Sequence, residues 1–196
     1  MPSKPKTNYS NKTCSGKDLF RTPRYAVELL LDNIRPNIKY VWECAAGELH
    51  ITKVLKDRGF DVFSSDIDGT HCNELDFLTC DPPEFPDTYA IITNPPYSLK
   101  KAFFLRCISL NVPFALLIPA DYSQWNIEAM TKYNCKKLIP SRRINYITPN
   151  RSLKSGAQFH SMWLTKDLLF PITAEQTEMF VSLSREQMKN IEVICQ

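Results

Sequence analysis

Hydrophobic positions along this chain switch between short apolar runs and broader faces at helical spacing. Residues 40–44, 60–66, 89–92 and 113–118 are apolar-rich runs that predict strands. Between them, helical spacing predicts a helix from about Pro23, another over 51–58 stopped by Gly59, and a third over about 99–109. In the first of these, Tyr25, Val27, Leu29, Leu30, Leu31 and Ile34 cover one broad face. Thr22 is expected to cap it, Pro23 to take its first position and Pro36 to end it. Residues 75–78 predict a short helix or loop leading to the proline-rich turn at 81–86. In the last third, 144–148 and 160–164 predict an antiparallel pair joined by a polar loop at 150–157, with a helix from about Ala174.

Strands alternating with helices predict an α/β fold with a doubly wound, mostly parallel sheet and a late antiparallel strand pair. Residues 1–17, with Lys4, Lys6, Lys12 and Lys17 among Ser, Thr, Asn and Pro, are expected to be a disordered basic leader. One main domain is expected over 18–170, and 171–196 is expected to pack on or beside it as a helix. The length of 196 residues, 43% hydrophobic and 23% charged, suits one α/β domain of that kind. No apolar run approaches the roughly 18 residues of a membrane span, and the polar N-terminus lacks a signal-peptide pattern. Seven scattered cysteines without a Cys-x-x-Cys pair predict reduced thiols in a cytoplasmic protein, with no disulfide frame and no metal site. The net charge of +3 permits a nucleic-acid partner without requiring one.

The chemistry-bearing residues fall at predicted strand ends, where open α/β sheets bind ligands. Asn94-Pro95-Pro96-Tyr97 follows the strand at 89–92. An Asn side-chain carbonyl accepts a hydrogen bond from an amino group, proline stiffens the turn, and Tyr97 offers a flat face for stacking a base. That combination suits methylation of a planar amino group. Gly47 follows the first strand, where glycine lets the backbone approach a ligand. The turn has one glycine, not the three of G-x-G-x-x-G, so it fails as a dinucleotide fingerprint. A ligand without phosphates, such as S-adenosylmethionine, needs no anion cradle. Its sulfonium favours a carboxylate such as Glu43, Asp66 is placed to take ribose hydroxyls, and Asp76 with Phe77 suits an adenine ring.

These residues together resemble S-adenosylmethionine-dependent amino-methyltransferases with an Asn-Pro-Pro-Tyr motif, closest to small phage-type DNA adenine-N6 methyltransferases. The resemblance rests on Phe20-x-Thr22-Pro23, Trp42-Glu43-x-Ala45-x-Gly47, Ser65-Asp66-Ile67, Asp76-Phe77, Asn94-Pro95-Pro96-Tyr97, the run at 115–119 and Phe159-His160-Ser161-x-Trp163. It covers about residues 18–170. Leu49 departs from it, standing where the family has a second glycine. The resemblance implies the Rossmann-like class I methyltransferase fold, a catalytic domain over 18–170, and methyl transfer to the N6 amino group of adenine in DNA. It implies catalysis by Asn94, Pro95, Pro96 and Tyr97. It implies cofactor binding by Phe20, Thr22, Pro23, Glu43, Ala45, Gly47, Asp66, Ile67, Asp76 and Phe77. For a phage-encoded protein the expected location is the host cytoplasm.

Candidate phosphate contacts are Arg142, Arg143 and Lys154, with Lys136, Lys137 and Arg151, interleaved with Tyr146. Tyr122 and Trp125 are candidate walls of the base pocket, and His160 reads as structural. With no separate recognition domain in view, a short or loose sequence preference is expected. The alternatives are an RNA base amino-methyltransferase and a catalytically silent methyltransferase-like binding protein.

Overall fold

The computed structural model describes residues 20–35, 37–147, 159–169 and 175–189. Its centre is one sheet built from β1 (Tyr40–Glu43), β2 (Asp61–Asp66), β3 (Asn73–Glu74), β4 (Tyr89–Thr93), β5 (Phe114–Pro119), β6 (Lys136–Pro140), β7 (Ser161–Lys166) and β8 (Glu178–Val181). The strand order is β3-β2-β1-β4-β5-β7-β6-β8. Within the sheet β7 runs antiparallel to both neighbours, and every other pairing is parallel. This is the mostly parallel α/β architecture that the sequence pattern predicts.

Alternation along the strands sorts side chains onto two faces. Val41, Ala90, Ile92, Ala115, Leu117 and Trp163 enter one core with α1 (Arg24–Leu31) and α2 (His50–Asp57). Trp42, Ile91, Phe114, Leu116, Ile118, Met162 and Leu164 enter the other with α3 (Lys100–Leu110) and α4 (Gln124–Tyr133). Both buried tryptophans are polar-satisfied: Trp163 Nε1 donates to the Ala26 carbonyl at 2.9 Å and Trp42 Nε1 donates to Ser65 Oγ at 2.9 Å. Truncating either to Ala is expected to cost about 3–5 kcal/mol.

The chain leaves β1 toward one face and β4 toward the other, so the order reverses between these adjacent strands. A cleft therefore opens beyond their carboxyl ends. Three residues beside it depart from expectation. Pro23 is the N-cap of α1, not its first helical residue, at φ −72° and ψ 150°. Thr22 does not cap the helix, because its hydroxyl accepts from Asn94 Nδ2 at 3.1 Å. Leu49 leads into α2 in the left-handed region at φ 64°, a conformation that glycine adopts without strain.

The late part of the chain departs further. No strand spans 144–147; Ile147 makes one isolated bridge, to Arg21, and β7 pairs with β5 and β6. Strand β6 and helix α4 were not expected. Lys136 and Lys137 made β6 look polar, yet Lys137 is 1% exposed. Its stem is buried and its ammonium lies 4.1 Å from the Tyr122 ring centroid, an arrangement long cationic side chains permit. In place of a continuous helix from about 174, residues 178–181 form β8 inside the sheet and a short α5 (Arg185–Lys189) follows. The expected leader, Pro36, Arg151, Lys154 and the loop at 150–157 lie outside the described residues.

Candidate active site

A cavity of about 510 Å³ occupies the cleft at the ends of β1, β2 and β4. Phe20, Arg21 and Thr22 line one side, and the turn from Glu43 to Glu48 lines the floor. Asp66 ends β2 and Ile67 and Asp68 follow it, Asp76 and Phe77 lie on the next loop, and Asn94 and Pro96 come from the end of β4. Three of the expected catalytic and cofactor-binding residues do not line it. Pro23 and Pro95 are buried beside the cavity, and Tyr97 packs behind Phe20.

Asn94 is the most constrained polar group in the site. Its Nδ2 donates to the Phe20 carbonyl at 2.8 Å and to Thr22 Oγ1 at 3.1 Å. A backbone carbonyl only accepts, so the amide has one orientation. Its Oδ1 is buried and has no hydrogen-bond partner among the described residues. Leaving such an acceptor unpaired costs about 1–3 kcal/mol. The site therefore stores an oriented acceptor suited to a ligand N–H.

Tyr97 begins a short 3₁₀ turn, Tyr97–Leu99, directly after Pro96. Its ring stacks on Phe20 with centroids 4.6 Å apart at 24°, and Phe159 meets it edge-on at 5.6 Å. Its hydroxyl lies 2.5 Å from that of Tyr146.

Acids dominate the cavity. Glu43, Glu48, Asp66, Asp68 and Asp76 line it, with Arg21 as the one Lys or Arg among the described residues. Glu43 is fully enclosed; burial pushes its carboxyl up to about 8, the nearby Asp66 charge adds to this, and hydrogen bonds from Thr52 oppose it. Asp66 accepts the Gly47 N–H at 2.9 Å, so the carboxylate and the glycine turn hold each other in place. Gly47 has φ 47°, a left-handed value that glycine adopts without strain. Asp76 Oδ1 accepts the Leu78 N–H at 3.0 Å, and Phe77 is edge-on to Trp42 with centroids 5.1 Å apart. Arg106 fastens this loop by donating to the Cys80 carbonyl at 2.6 Å. A cavity this acidic repels phosphates and suits a cation.

Arg21, Glu48 and His50 line the cavity but were not anticipated. Arg21 Nε donates to Glu48 Oε1 at 2.8 Å, which joins the N-terminal segment to the turn and holds Glu48 below the usual carboxylate range. Burial lowers His50, whose Nε2 lies 3.7 Å from Glu48. Arg21 was legible in principle, since it sits between two residues of the Phe20-x-Thr22-Pro23 pattern.

The expected nucleic-acid residues are not gathered here. Tyr122 is 68% exposed and lies over Lys137, with its hydroxyl donating to Glu178 at 3.1 Å. Trp125 packs against Phe104 in the second core, with centroids 5.6 Å apart. Neither lines this cavity. Tyr146 is buried against Tyr97 instead of standing among basic side chains. Arg142 and Arg143 are exposed just after β6, and Arg142 Nε donates to the Leu183 carbonyl at 2.9 Å. His160 is structural: its Nε2 lies 2.7 Å from the Pro140 carbonyl, tying the end of β6 to the start of β7.

Among the described residues no group of three or more His, Cys, Asp or Glu is placed to hold a metal ion. No helix among them is long and apolar enough to cross a membrane.

Comparison with protein-family models finds no match, and comparison with curated proteins finds none either. Among solved structures, the chain is similar to the 23S rRNA methyltransferase ErmE, with TM-score 0.49 and 19% identity over 77% of this chain and 69% of that one. It is also similar to a putative RNA methyltransferase, PH1948 from Pyrococcus horikoshii, with TM-score 0.48 and 16% identity over 76% of this chain and 86% of that one. At such identities the likeness concerns the path of the chain and does not extend to what it acts upon.

Proposed function

We propose that this protein transfers a methyl group from S-adenosylmethionine to the exocyclic N6 amino group of adenine in DNA. The observation that carries the reading is Asn94, whose amide is pinned through its NH₂ while its buried Oδ1 has no partner. The acidic, phosphate-averse cavity fits the cofactor. Asp66 would take its ribose, Asp76 and Phe77 its adenine, and Glu43 would lie near positive charge. When bound, the cofactor supplies an electrophilic methyl group carried on a sulfonium.

Adenine N6 is a poor nucleophile because its lone pair is delocalised into the ring. Asn94 Oδ1 accepts one amino proton, and the Pro95 carbonyl accepts the second. Both contacts favour a pyramidal nitrogen, so they strengthen toward the transition state. No strong base is required, because the methylated ammonium loses its proton readily. Tyr97 stacks on the target base once the Phe20 ring yields that place, a contact worth about 1–3 kcal/mol. In a duplex the base must first leave the helix, which costs a few kcal/mol.

The test is transfer of labelled methyl from S-adenosylmethionine to unmethylated DNA and, in parallel, to RNA. N6-methyladenine in DNA is the expected product. Label in RNA alone would replace the substrate while keeping the chemistry, and label in neither would overturn the reading.

A further inference from the structure

The base-stacking role of Tyr97 depends on where its ring is held, and the holding group lies far along the chain. Tyr146 Oη is 2.5 Å from Tyr97 Oη and donates to Ser161 Oγ at 2.8 Å. With that proton committed, the Tyr97 hydroxyl is the donor in the first bond. Tyr146 is 7% exposed, and Ser161, the first residue of β7, is fully buried.

The backbone around Tyr146 is clamped on both sides. Asn145 N–H donates to Tyr25 Oη at 2.8 Å, and Ile147 N–H donates to the Arg21 carbonyl at 3.0 Å. The anchor is thus rigid and tied to the same N-terminal segment that orients Asn94.

We propose that Tyr146 is a positioning residue, whose hydroxyl, fixed by Ser161, sets the direction in which Tyr97 extends its ring toward the target base. The inference rests on the methyl-transfer reading above. A tyrosine hydroxyl lies on the χ2 axis, so this tether fixes χ1 and the direction of the ring's long axis, while Phe20 and Phe159 pack against the ring itself. Burial pushes the Tyr146 hydroxyl up to about 12, so it stays protonated and able to donate to Ser161 at ordinary pH.

A double-mutant cycle tests this with Tyr97→Phe, Tyr146→Phe and the pair, measured as kcat/KM for methyl transfer to DNA. Cofactor affinity and melting temperature are recorded beside it. Each single change is expected to lower kcat/KM about tenfold, the scale of one lost buried hydrogen bond. The pair is expected to lose no more than either single change, because both remove the same bond. Cofactor affinity should stay within about twofold. Ser161→Ala, which leaves both rings in place, should move kcat/KM the same way by less.

Multiplying effects in the pair would overturn the positioning role. So would an unchanged Tyr146→Phe, or losses of melting temperature and cofactor affinity in step with activity. If Tyr146→Phe does not fold, an unchanged Ser161→Ala would overturn it equally. A wild-type protein that methylates neither DNA nor RNA removes the methyl-transfer reading and this inference together. An active wild type with a multiplying cycle removes this inference alone.

Discussion

Asp66 and Asn94 leave the ends of β2 and β4 and meet in one cavity, whereas Lys137 and Glu178, also polar residues of the same sheet, meet each other. The first pair belongs to the parallel half, where neighbouring strands stop at one level and hand their next residues to a shared cleft. The second pair belongs to the half around the antiparallel β7. Lys137 sits within β6, 3.7 Å from Glu178 and beneath Tyr122. The same residue types are open to a ligand at one end of the sheet and closed into the fold at the other. Position relative to strand direction decides which.

The comparison can be broken from either side. Asp66→Ala has the largest expected effect on cofactor binding: it removes a charged acceptor and frees the Gly47 N–H. The dissociation constant of S-adenosylmethionine should rise about 10–100-fold in a calorimetric titration. An unchanged constant would deprive the parallel half of its assigned ligand.

A smaller, pH-dependent effect is expected at Glu43. Its carboxyl is raised from 4.5 to about 8 in the fold. The folded state therefore keeps a proton that the unfolded chain gives up, and stability without ligand falls as pH rises across that window. A cation beside Glu43 favours the ionised form, so cofactor affinity should rise with pH up to about 8, the value in the unliganded fold. Glu43→Gln should flatten both profiles, and a mutant that keeps either slope would exclude Glu43 as its source.

The smallest effects are expected at the closed end. Lys137→Met keeps the buried stem and removes the ammonium, and methyl transfer should stay within about twofold of wild type. Stability should fall, but by less than the about 3–5 kcal/mol of a fully buried pair that loses one partner, because Glu178 is 25% exposed and still accepts from the Tyr122 hydroxyl. Tyr122→Ala should likewise leave transfer within about twofold. A tenfold loss in either would return these residues to the substrate pocket.

The parallel half was legible in the sequence because its signals are local. The runs Tyr40–Glu43, Asp61–Asp66 and Tyr89–Thr93 are short and strongly apolar or alternating, and each is followed within a few residues by the group that lines the cavity. The other half was not, because its signals are tertiary. Lys136-Lys137 gives no hint of a buried strand until Tyr122 and Glu178 are placed beside it. Residues 144–147 look like a strand, yet they are held by Tyr25 and Arg21 from the start of the chain. Thr22 reads as a helix cap by position, and only the fold reveals that it orients Asn94. In each case a contact between distant segments outweighs local propensity.

The most direct measurement is labelled-methyl transfer by wild type and Asn94→Ala, with cofactor binding determined for both. Equal binding and a loss of about 10²–10³-fold in transfer are expected, the scale for removing one oriented hydrogen-bonding group from a transition state. Undiminished transfer by Asn94→Ala would contradict the role assigned to Asn94.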